Sequence, residues 1–466
     1  MKLRDYQLDG VQKLRKLYQS GVKRALFVLP TGGGKTAVFS FIAQAAELRK
    51  KSAIILVHRQ ELLSQASNSL HKLGVTHGLI SPRYSQSKDL IQIATVQSLV
   101  KRLDKVSCPD LIIIDECHHA VSQTYRNILA YYPSAHVLGV TASPIRGDGQ
   151  GLGVKSGGIF ESMIQGPAVS WLMSQGFLAR ARVFAPPIGI DLAGVPKRMG
   201  DYDKTELANR IDKPTITGSA VEHYLRLCKG QPAIAFCVSV KHAEHVANEF
   251  RNAGIRAVRV DGKMDDHSRK QAIEGLGNGS VDLLTSADLI NEGLDVPACS
   301  VAILLRPTFS KSLHLQQIGR ALRVAPNKTH ATILDHVGNI MRHGFPDDEQ
   351  NWELDPERDE KRKQKRDLDL TVRIEQCPEC FFVYELGPTF CPSCGSEKAS
   401  KERKIRVAEG QLEELKKEEM ERAKIATRRE QGEAQTVEEL TELGKKRGYA
   451  NPRFWAERIL NGRKRK

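Results

Sequence analysis

Short apolar runs alternate with amphipathic stretches along residues 1–345. The runs have the length and β-branched character of buried strands, and the stretches between them have the periodicity of helices. The runs fall at residues 25–29, 53–57, 91–94, 111–114 and 137–140, and again from near Arg182 through 233–238, 257–260, 281–285, 301–304 and 331–334. Parallel strands need long crossover connections, usually helices, so this order predicts an α/β protein with parallel sheets built from βαβ units.

The two series of strands are each long enough to form a domain, which predicts two α/β domains in tandem at residues 1–190 and 191–345. The pattern then changes. Residues 346–374 are rich in charge and predict a solvated linker or an exposed helix, whereas residues 375–400 contain a cysteine cluster. Residues 401–466 predict a basic helical tail, in which apolar residues recur among Lys and Glu as in an exposed helix or a short coiled coil.

The composition limits the class of protein before any motif is considered. Of the 466 residues, 40% are hydrophobic and 27% charged, and no apolar run approaches the roughly 20 residues that span a bilayer. Residues 1–7 lack the apolar core of a secretion signal, so we expect a cytoplasmic protein that does not act in a membrane. The 70 Lys and Arg against 55 Asp and Glu give a net charge of +15, which favours a polyanionic partner without identifying it.

A glycine-rich loop at residues 30–36, which reads Pro-Thr-Gly-Gly-Gly-Lys-Thr, lies between the first predicted strand and a helical stretch at residues 37–48. Consecutive glycines let backbone N–H groups surround phosphate oxygens, and the N-terminus of the following helix favours negative charge. Lys35 is placed to reach the β and γ phosphates of a nucleotide, and Thr36 to bind Mg²⁺. Leu29 stands where the strict motif has its first glycine, but the loop still predicts a nucleotide site.

Two carboxylates, Asp115 and Glu116, directly follow the predicted strand at residues 111–114. Open parallel sheets carry their sites at the carboxyl ends of their strands. Nucleotide hydrolysis needs a metal ligand and a group that orients and deprotonates the attacking water. We therefore predict that Asp115 holds Mg²⁺ and that Glu116 acts on the water.

Gln316, Arg320 and Arg323 lie in the second series, four and three residues apart, so on a helix they would share one face. A guanidinium offered to a γ phosphate from a second domain neutralises transition-state charge and makes hydrolysis depend on domain closure. The sequence therefore predicts that Arg320 and Arg323 act with Lys35, Asp115 and Glu116 as catalytic residues.

The nine cysteines fall into two groups. Two Cys-x-x-Cys pairs are formed by Cys377, Cys380, Cys391 and Cys394. This spacing is typical of a four-thiolate structural zinc site, although iron in the same tetrahedral arrangement stays open. The scattered cysteines are predicted to be small core residues. They are Cys108, Cys117, Cys228, Cys237 and Cys299.

In their order along residues 1–345, these motifs resemble those of the superfamily-two helicases, in which two RecA-like P-loop domains close on ATP. Residues 115–118 read Asp-Glu-Cys-His, and this DECH-type box is similar to that of the excision-repair and phage recombination helicases. The resemblance implies a helicase ATP-binding domain at residues 1–190 and a helicase C-terminal domain at residues 191–345.

The resemblance also implies roles for individual residues. ATP would be contacted by Arg4, Gln7, Thr31, Gly32, Gly33, Gly34, Lys35, Thr36, Gly293, Asp295, Arg320 and Arg323. Gln7 would hydrogen-bond the adenine. Hydrolysis would be coupled to movement through His118, Thr141, Ser143 and Gln316. Phosphates of a nucleic acid would be contacted by Arg59, Thr95, Ser239 and Thr285.

The implied function is that of an ATP- and Mg²⁺-dependent DNA helicase or translocase that acts as a monomer in the cytoplasm of a bacterium or a phage-infected cell. Its implied partner is single-stranded DNA or a forked or branched duplex. DNA is favoured over RNA because the box and residues 141–187 resemble the DNA-directed members of the family; the composition does not distinguish the two. Three alternatives stay open: a translocase that remodels duplex DNA without separating its strands, an RNA-directed helicase, and an ATP-gated nucleic-acid clamp or adaptor.

The C-terminal segment 448–456 mixes aromatic and basic residues and is followed by further Arg and Lys. It predicts either a helical hairpin packed on its own aromatic residues or an element that binds duplex DNA or a protein partner. The zinc module is the other place where a protein partner is expected to bind. The aromatic residues between the cysteine pairs similarly favour the core of the small zinc module over a base-stacking surface.

Overall fold

The computed structural model describes residues 2–82, 84, 87–146, 149–185, 197–198, 201–203, 207, 214–287 and 299–356. It also describes the C-terminal segments 374–376, 383–385, 413–414, 434, 436–446 and 452–463. Within these residues, no helix is both long and apolar enough to cross a membrane.

The first domain contains a seven-stranded parallel sheet. Its elements are α1 (Asp5–Gln19), β1 (Arg24–Val28), α2 (Lys35–Leu48), β2 (Ala53–Val57), α3 (Gln60–Lys72), β3 (His77–Ile80), β4 (Ile91–Thr95), α4 (Val96–Leu99), β5 (Leu111–Asp115), α5 (Gln123–Tyr131), β6 (His136–Thr141), β7 (Ser162–Gln165) and α6 (Val169–Ser174). The strand order is β3-β4-β2-β5-β6-β1-β7. Successive side chains of β1 enter different core clusters, Phe27 one and Leu26 the other, because the sheet is covered on both faces.

The second domain has a second parallel sheet, with strand order β12-β13-β11-β14-β15-β8. Its elements are β8 (Arg180–Ala185), β9 (Lys197–Arg198), β10 (Asp201–Tyr202), α7 (Pro214–Leu227), β11 (Ala233–Phe236), α8 (Val240–Asn252), β12 (Ala257–Arg259), α9 (Asp266–Asn278), β13 (Leu283–Ser286), β14 (Val301–Leu304), α10 (Lys311–Ala321), β15 (His330–Asp335) and α11 (Asn339–His343). β9 and β10 form a separate antiparallel pair. The prediction of two tandem α/β domains with parallel sheets is confirmed.

The chain changes sheets before β8, which pairs with β15 from Arg180 opposite His330 to Phe184 opposite Leu334. The second series of strands therefore begins where the sequence pattern placed it. The boundary predicted at residue 190 falls after β8, inside the second domain. Local sequence does not specify which sheet β8 joins, because its partner strand lies far along the chain.

Residues 345–356, which we call the strap, run from the second domain back to the first. The Leu354 carbonyl accepts a hydrogen bond from the Gly153 amide at 2.9 Å, and Trp352 packs against a core cluster of the first domain. The prediction of a solvated linker over residues 346–374 is therefore wrong for its first part. The charges of this segment are visible in the sequence, whereas the surface that covers its apolar side chains is formed only on folding.

The described parts of the C-terminal region are short. β16 (Ile374–Gln376) and β17 (Val383–Glu385) pair with each other, and α12 (Val437–Lys446) packs against α13 (Pro452–Arg463) around the buried residues Leu440 and Ala456. β18 (Glu413–Glu414) lies within the predicted helical tail, yet it pairs antiparallel with the edge strand β8. The helical prediction is thus wrong at these two residues, since an exposed sheet edge offers backbone hydrogen bonds that no local pattern reveals. The four cysteines of the predicted zinc module lie outside the described residues.

Candidate active site

The glycine-rich loop joins β1 to α2, as predicted. Gly32 and Gly34 have φ angles of 83° and 86°, a left-handed region that favours glycine, and the Gly33 amide donates to the Pro30 carbonyl at 2.9 Å. Gly34 is the residue before the first turn of α2, so the loop lies at the positive end of that helix. Such a cradle fits the phosphates of a nucleotide.

Gln7 braces this loop from behind. Its Nε2 donates to the Gly33 carbonyl at 3.1 Å, its Oε1 accepts from the Arg4 amide at 2.9 Å, and its side chain is buried. The hydroxyl of Tyr6 donates to the same Gly33 carbonyl at 2.9 Å. Gly34 has a left-handed φ, and a Cβ there would lie 2.2 Å from Gln7 Nε2, so the position favours glycine. In this conformation both ends of the Gln7 amide hold the protein backbone, which differs from the base contact that the resemblance implies.

Asp115 ends β5 and lies buried beside Glu116, whose φ of 46° is unusual for a residue other than glycine. Glu116 Oε1 lies 3.4 Å from Lys35 Nζ, so the acidic pair faces the glycine-rich loop. Burial, and next the charge of Glu116, raise the pKa of Asp115 to about 6. A buried carboxylate with this excess of negative charge suits a divalent cation. With Thr36 at the start of α2, Asp115 would hold Mg²⁺ together with phosphate and water oxygens.

A chain of polar contacts leads from Glu116 towards the second domain. His118 Nδ1 lies 3.5 Å from Glu116 Oε2 and 3.5 Å from the hydroxyl oxygen of Thr141. That hydroxyl donates to the Ser143 carbonyl at 3.0 Å. The hydroxyl of Ser143 in turn donates to that of Ser312, on α10, at 2.5 Å. Three of the four predicted coupling residues thus form one path between the acidic pair and the other domain.

Helix α10 of the second domain packs against the glycine-rich loop. Gly319 packs so closely on Thr31 that an added Cβ would lie 2.5 Å from the Thr31 Cβ. Gln316 and Arg320, on the same helix, are buried and line the cleft between the domains. The Thr31 hydroxyl oxygen is buried at this contact and has no hydrogen-bond partner within the described residues.

Arg323 does not lie on α10, because the helix ends at Ala321. The expectation that three residues share one helical face is therefore wrong for the third. Arg323 instead forms an antiparallel bridge with Leu178, and a Cβ on Gly32 would lie 3.6 Å from its Cγ. Its side chain still reaches the glycine-rich loop, through a turn that helical spacing does not predict.

These side chains line one cleft of about 870 Å³ between the domains. The predicted site residues that line it are Arg4, Thr31, Gly32, Gly34, Lys35, Thr36, Asp115, Glu116, Gln316, Arg320 and Arg323. The predicted nucleotide contacts Gly293 and Asp295 lie outside the described residues. The folded chain thus brings together a phosphate cradle, an acidic pair and the guanidinium groups of Arg320 and Arg323.

The four residues predicted to contact nucleic acid are placed differently from one another. Arg59 and Ser239 immediately precede α3 and α8, and the Ser239 hydroxyl oxygen accepts a hydrogen bond from the His242 amide at 3.1 Å. Thr95 and Thr285 are buried, and their hydroxyls donate to Ser98 Oγ and to the Ala243 carbonyl, both at 2.8 Å. Side-chain contact of these two threonines with nucleic acid is therefore not supported, because both hydroxyls are used inside the fold.

Several contacts in and around the cleft were not apparent from the sequence. They involve Glu61, Arg269, Ser312 and Lys328, and each depends on a partner from another element. No local motif marks such residues.

Among the scattered cysteines, Cys108 is exposed whereas the other four are buried, so the core prediction is wrong for Cys108. Within the described part of the chain, no cluster of three or more His, Cys, Asp or Glu side chains is arranged to hold a metal ion.

Two family models match the chain and together cover more than half of it. The model described as "Type III restriction enzyme, res subunit" matches residues 1–146, and that described as "Helicase conserved C-terminal domain" matches residues 219–325. The chain belongs to the superfamily-two helicases. It is a helicase-like, nucleic-acid-dependent ATPase of that family.

Individual relatives are similar to this chain over most of its length. A 51.5 kDa protein of a Lactococcus phage (isolate 7-9) is 35% identical over 84% of this chain and 82% of its own length. IRC3 of Saccharomyces cerevisiae, named as a candidate ATP-dependent helicase, is 29% identical over 72% of this chain, which spans only 51% of the yeast protein. XPB2 of Sulfurisphaera tokodaii, named as a DNA 3′-5′ translocase, is 24% identical over 69% of this chain and 79% of its own length.

A solved structure shares the fold. A fragment of a candidate HsdR subunit of a type I restriction enzyme from Vibrio vulnificus superposes with a TM-score of 0.58 at 24% identity. The superposition covers 74% of this chain and 66% of the fragment.

Proposed function

We propose that this chain is an ATP- and Mg²⁺-dependent DNA helicase or translocase, in which hydrolysis between the two domains drives movement along DNA. The observation that carries the proposal is the cleft itself. The glycine-rich loop and the acidic pair come from one domain, whereas Arg320 and Arg323 come from the other. Since both sides contribute to one site, hydrolysis and the relative position of the domains are linked.

The proposed step is attack of water on the γ phosphorus of ATP, with cleavage of its bond to the bridging oxygen of ADP. Glu116 accepts a proton from the water, while Lys35 and the two arginines neutralise the charge on the γ phosphate oxygens. Bound Mg²⁺ would supply Lewis-acid stabilisation of the same oxygens. The left-handed backbone at Glu116 fixes its carboxylate next to Lys35, 3.4 Å away, before substrate arrives.

The nucleic acid along which we propose that the protein moves is DNA. The names of XPB2 and of the restriction-enzyme relatives support DNA, and the net charge of +15 fits any nucleic acid. The proposed contacts on the protein are the N-terminal ends of α3 and α8, preceded by Arg59 and Ser239. Contacts of this kind read phosphates, so we expect binding that tolerates any sequence and weakens steeply with salt.

The first experiment measures ATP turnover alone and with single-stranded DNA, duplex DNA or single-stranded RNA. The proposal expects strong stimulation by DNA. Stimulation by RNA alone would replace the DNA assignment, and no stimulation by any nucleic acid would contradict the proposal as a whole. Displacement of a fork strand and of a triplex strand then separates a helicase from a translocase that leaves the duplex paired.

The second experiment tests Glu116 with Glu116→Gln, matched by Glu222→Gln on an exposed part of α7. We expect Glu116→Gln to bind a fluorescent ATP analogue normally and to lower kcat by about 100-fold or more, because the amide cannot accept the proton. Glu222→Gln should behave as the unmodified protein. Unimpaired hydrolysis by Glu116→Gln would show that another group activates the water.

We further propose that Cys377, Cys380, Cys391 and Cys394 hold one structural Zn²⁺. The two Cys-x-x-Cys pairs support this, since four thiolates saturate a tetrahedral ion. Metal analysis of the purified full chain should find about one zinc per molecule, and Cys377→Ser with Cys391→Ser should release it. The control is Cys108→Ser, at an exposed position in the first domain. Iron, or no metal at all, would contradict the assignment.

A further inference from the structure

Lys328 lies in the connection between α10 and β15 and is surrounded by main-chain carbonyl groups. Its Nζ donates to the carbonyls of Arg323 at 2.6 Å and Cys299 at 2.7 Å, and also to that of Ala321. An ammonium group has three donors, so each of them has an acceptor. The ammonium group of Lys328 is therefore hydrogen-bonded within the fold and is not an exposed surface charge.

The position of the ammonium group has a physical cause. Ala321 is the last residue of α10, and the final carbonyls of a helix have no donor within the helix and carry its negative end. A turn closed by the Lys328 amide and the Ala325 carbonyl, at 3.2 Å, returns the chain to this helix end, with Asn327 at a φ of 60°. Burial removes the charge partly from water and lowers the pKa of Lys328 to about 8.

Arg323 lies beyond the end of α10, and contacts on two sides hold its backbone. On one side it is bridged to Leu178, next to a hydrogen bond of 2.8 Å from the Ala179 amide to the Leu322 carbonyl. On the other side its carbonyl accepts from Lys328. Between these two backbone contacts, the side chain of Arg323 extends to the glycine-rich loop, near Gly32.

We propose that Lys328 is a positioning residue, which clamps the backbone of Arg323 to the end of α10 and thereby keeps the Arg323 guanidinium in the nucleotide cleft. Lys328 itself touches no substrate. The inference rests on the proposed role of Arg323, and it adds a residue that supports this role from outside the cleft.

The test uses the full chain and DNA-stimulated ATP turnover. Lys328→Met removes the charge and the donors but keeps most of the side-chain volume, whereas Lys328→Arg keeps both charge and donors. We expect Lys328→Met to lower kcat about tenfold with the KM for ATP changed less than about twofold, and Lys328→Arg to recover most of the loss. The matched control is Lys16→Met, an exposed lysine in the last turn of α1.

A double variant shows whether the effect passes through Arg323. If it does, Lys328→Met combined with Arg323→Ala has the same kcat as Arg323→Ala alone. Multiplied losses, or a kcat of Lys328→Met within twofold of the unmodified protein, would overturn the inference while Arg323→Ala stays impaired. Normal turnover by Arg323→Ala would overturn the proposed role of Arg323 and the inference together. Should Lys328→Met fail to fold, Lys328→Gln is compared with Lys328→Arg under the same criteria.

Discussion

Glu61 of the first domain and Arg269 of the second form an ion pair, with 2.8 Å between Glu61 Oε1 and Arg269 Nη1. Both side chains line the cleft, and they are only 24% and 11% exposed. The two domains thus meet through a charged contact in addition to the packing of Gly319 on Thr31. Part of the energy that holds the cleft closed is therefore electrostatic.

Breaking this ion pair should favour an open arrangement of the domains. For Glu61→Gln we expect the free energy of domain closure to become less favourable by about 1 kcal/mol. This corresponds to a roughly fivefold higher KM for ATP. The radius of gyration measured by small-angle X-ray scattering should rise as well. Combining Glu61→Arg with Arg269→Glu should restore both values only in part, because Arg269 also pairs with Asp266, whereas Lys13→Gln, which breaks an exposed pair within α1, should change neither. An unchanged KM in Glu61→Gln would show that closure does not depend on the pair.

Gly319→Ala should lower ATP turnover without unfolding the protein. Alanine is favoured over glycine inside a helix by roughly 0.5–1 kcal/mol, but its Cβ would collide with Thr31 across the domain interface. We expect at least about a tenfold loss of kcat/KM, because the arginines are held away from the phosphate cradle. The control is Gly277→Ala in α9, where an added Cβ meets no atom within 4 Å. Equal activity of the two variants would contradict the close contact.

Asp115→Asn should stabilise the protein in the absence of Mg²⁺ and nucleotide while abolishing turnover. The pKa of Asp115 is raised to about 6, above its value in an unfolded chain. Ionisation of Asp115 therefore lowers the free energy of unfolding. This loss of stability grows as pH rises from about 4 to 6. Removing the charge should raise the free energy of unfolding at pH 7.5 by about 1–2 kcal/mol.

Asp110→Asn should change the free energy of unfolding in the opposite direction. Hydrogen bonds from the Ser52 backbone, followed by that from Lys51, lower the pKa of Asp110, so its charge contributes stability that is lost as pH falls. This variant should be less stable than the unmodified protein at pH 7.5. Denaturant unfolding at pH 7.5 and at pH 5 measures both variants. A destabilised Asp115→Asn would show that its charge is already compensated within the fold.

Trp352→Ala should loosen the strap from the first domain. Trp352 is half-buried against a core cluster there, so we expect a loss of about 1–2 kcal/mol in the free energy of unfolding, below the loss for a fully buried ring. Proteolysis within the strap should accelerate. Asn351→Ala, at an exposed neighbouring position, is the control. Resistance to proteolysis equal to that of the unmodified protein would show that backbone contacts alone hold the strap.

The sequence alone determined those features that depend on neighbouring residues. The strands follow from short apolar runs, and the phosphate loop follows from glycines that adopt the left-handed region at Gly32 and Gly34. The acidic pair follows from its place at the end of a buried strand. Each is a local property, so the local sequence predicts Lys35, Asp115 and Glu116 as site residues.

Only the tertiary structure decided which distant residues meet. Arg323 reaches the cleft through a turn after α10, and Lys328 fixes that turn by contacts to three backbone carbonyls. The strap covers the first domain although its sequence reads as a charged linker, and Thr285 is buried although its motif suggests a surface contact. These outcomes depend on the packing of two sheets and on contacts between domains, which local sequence patterns do not encode.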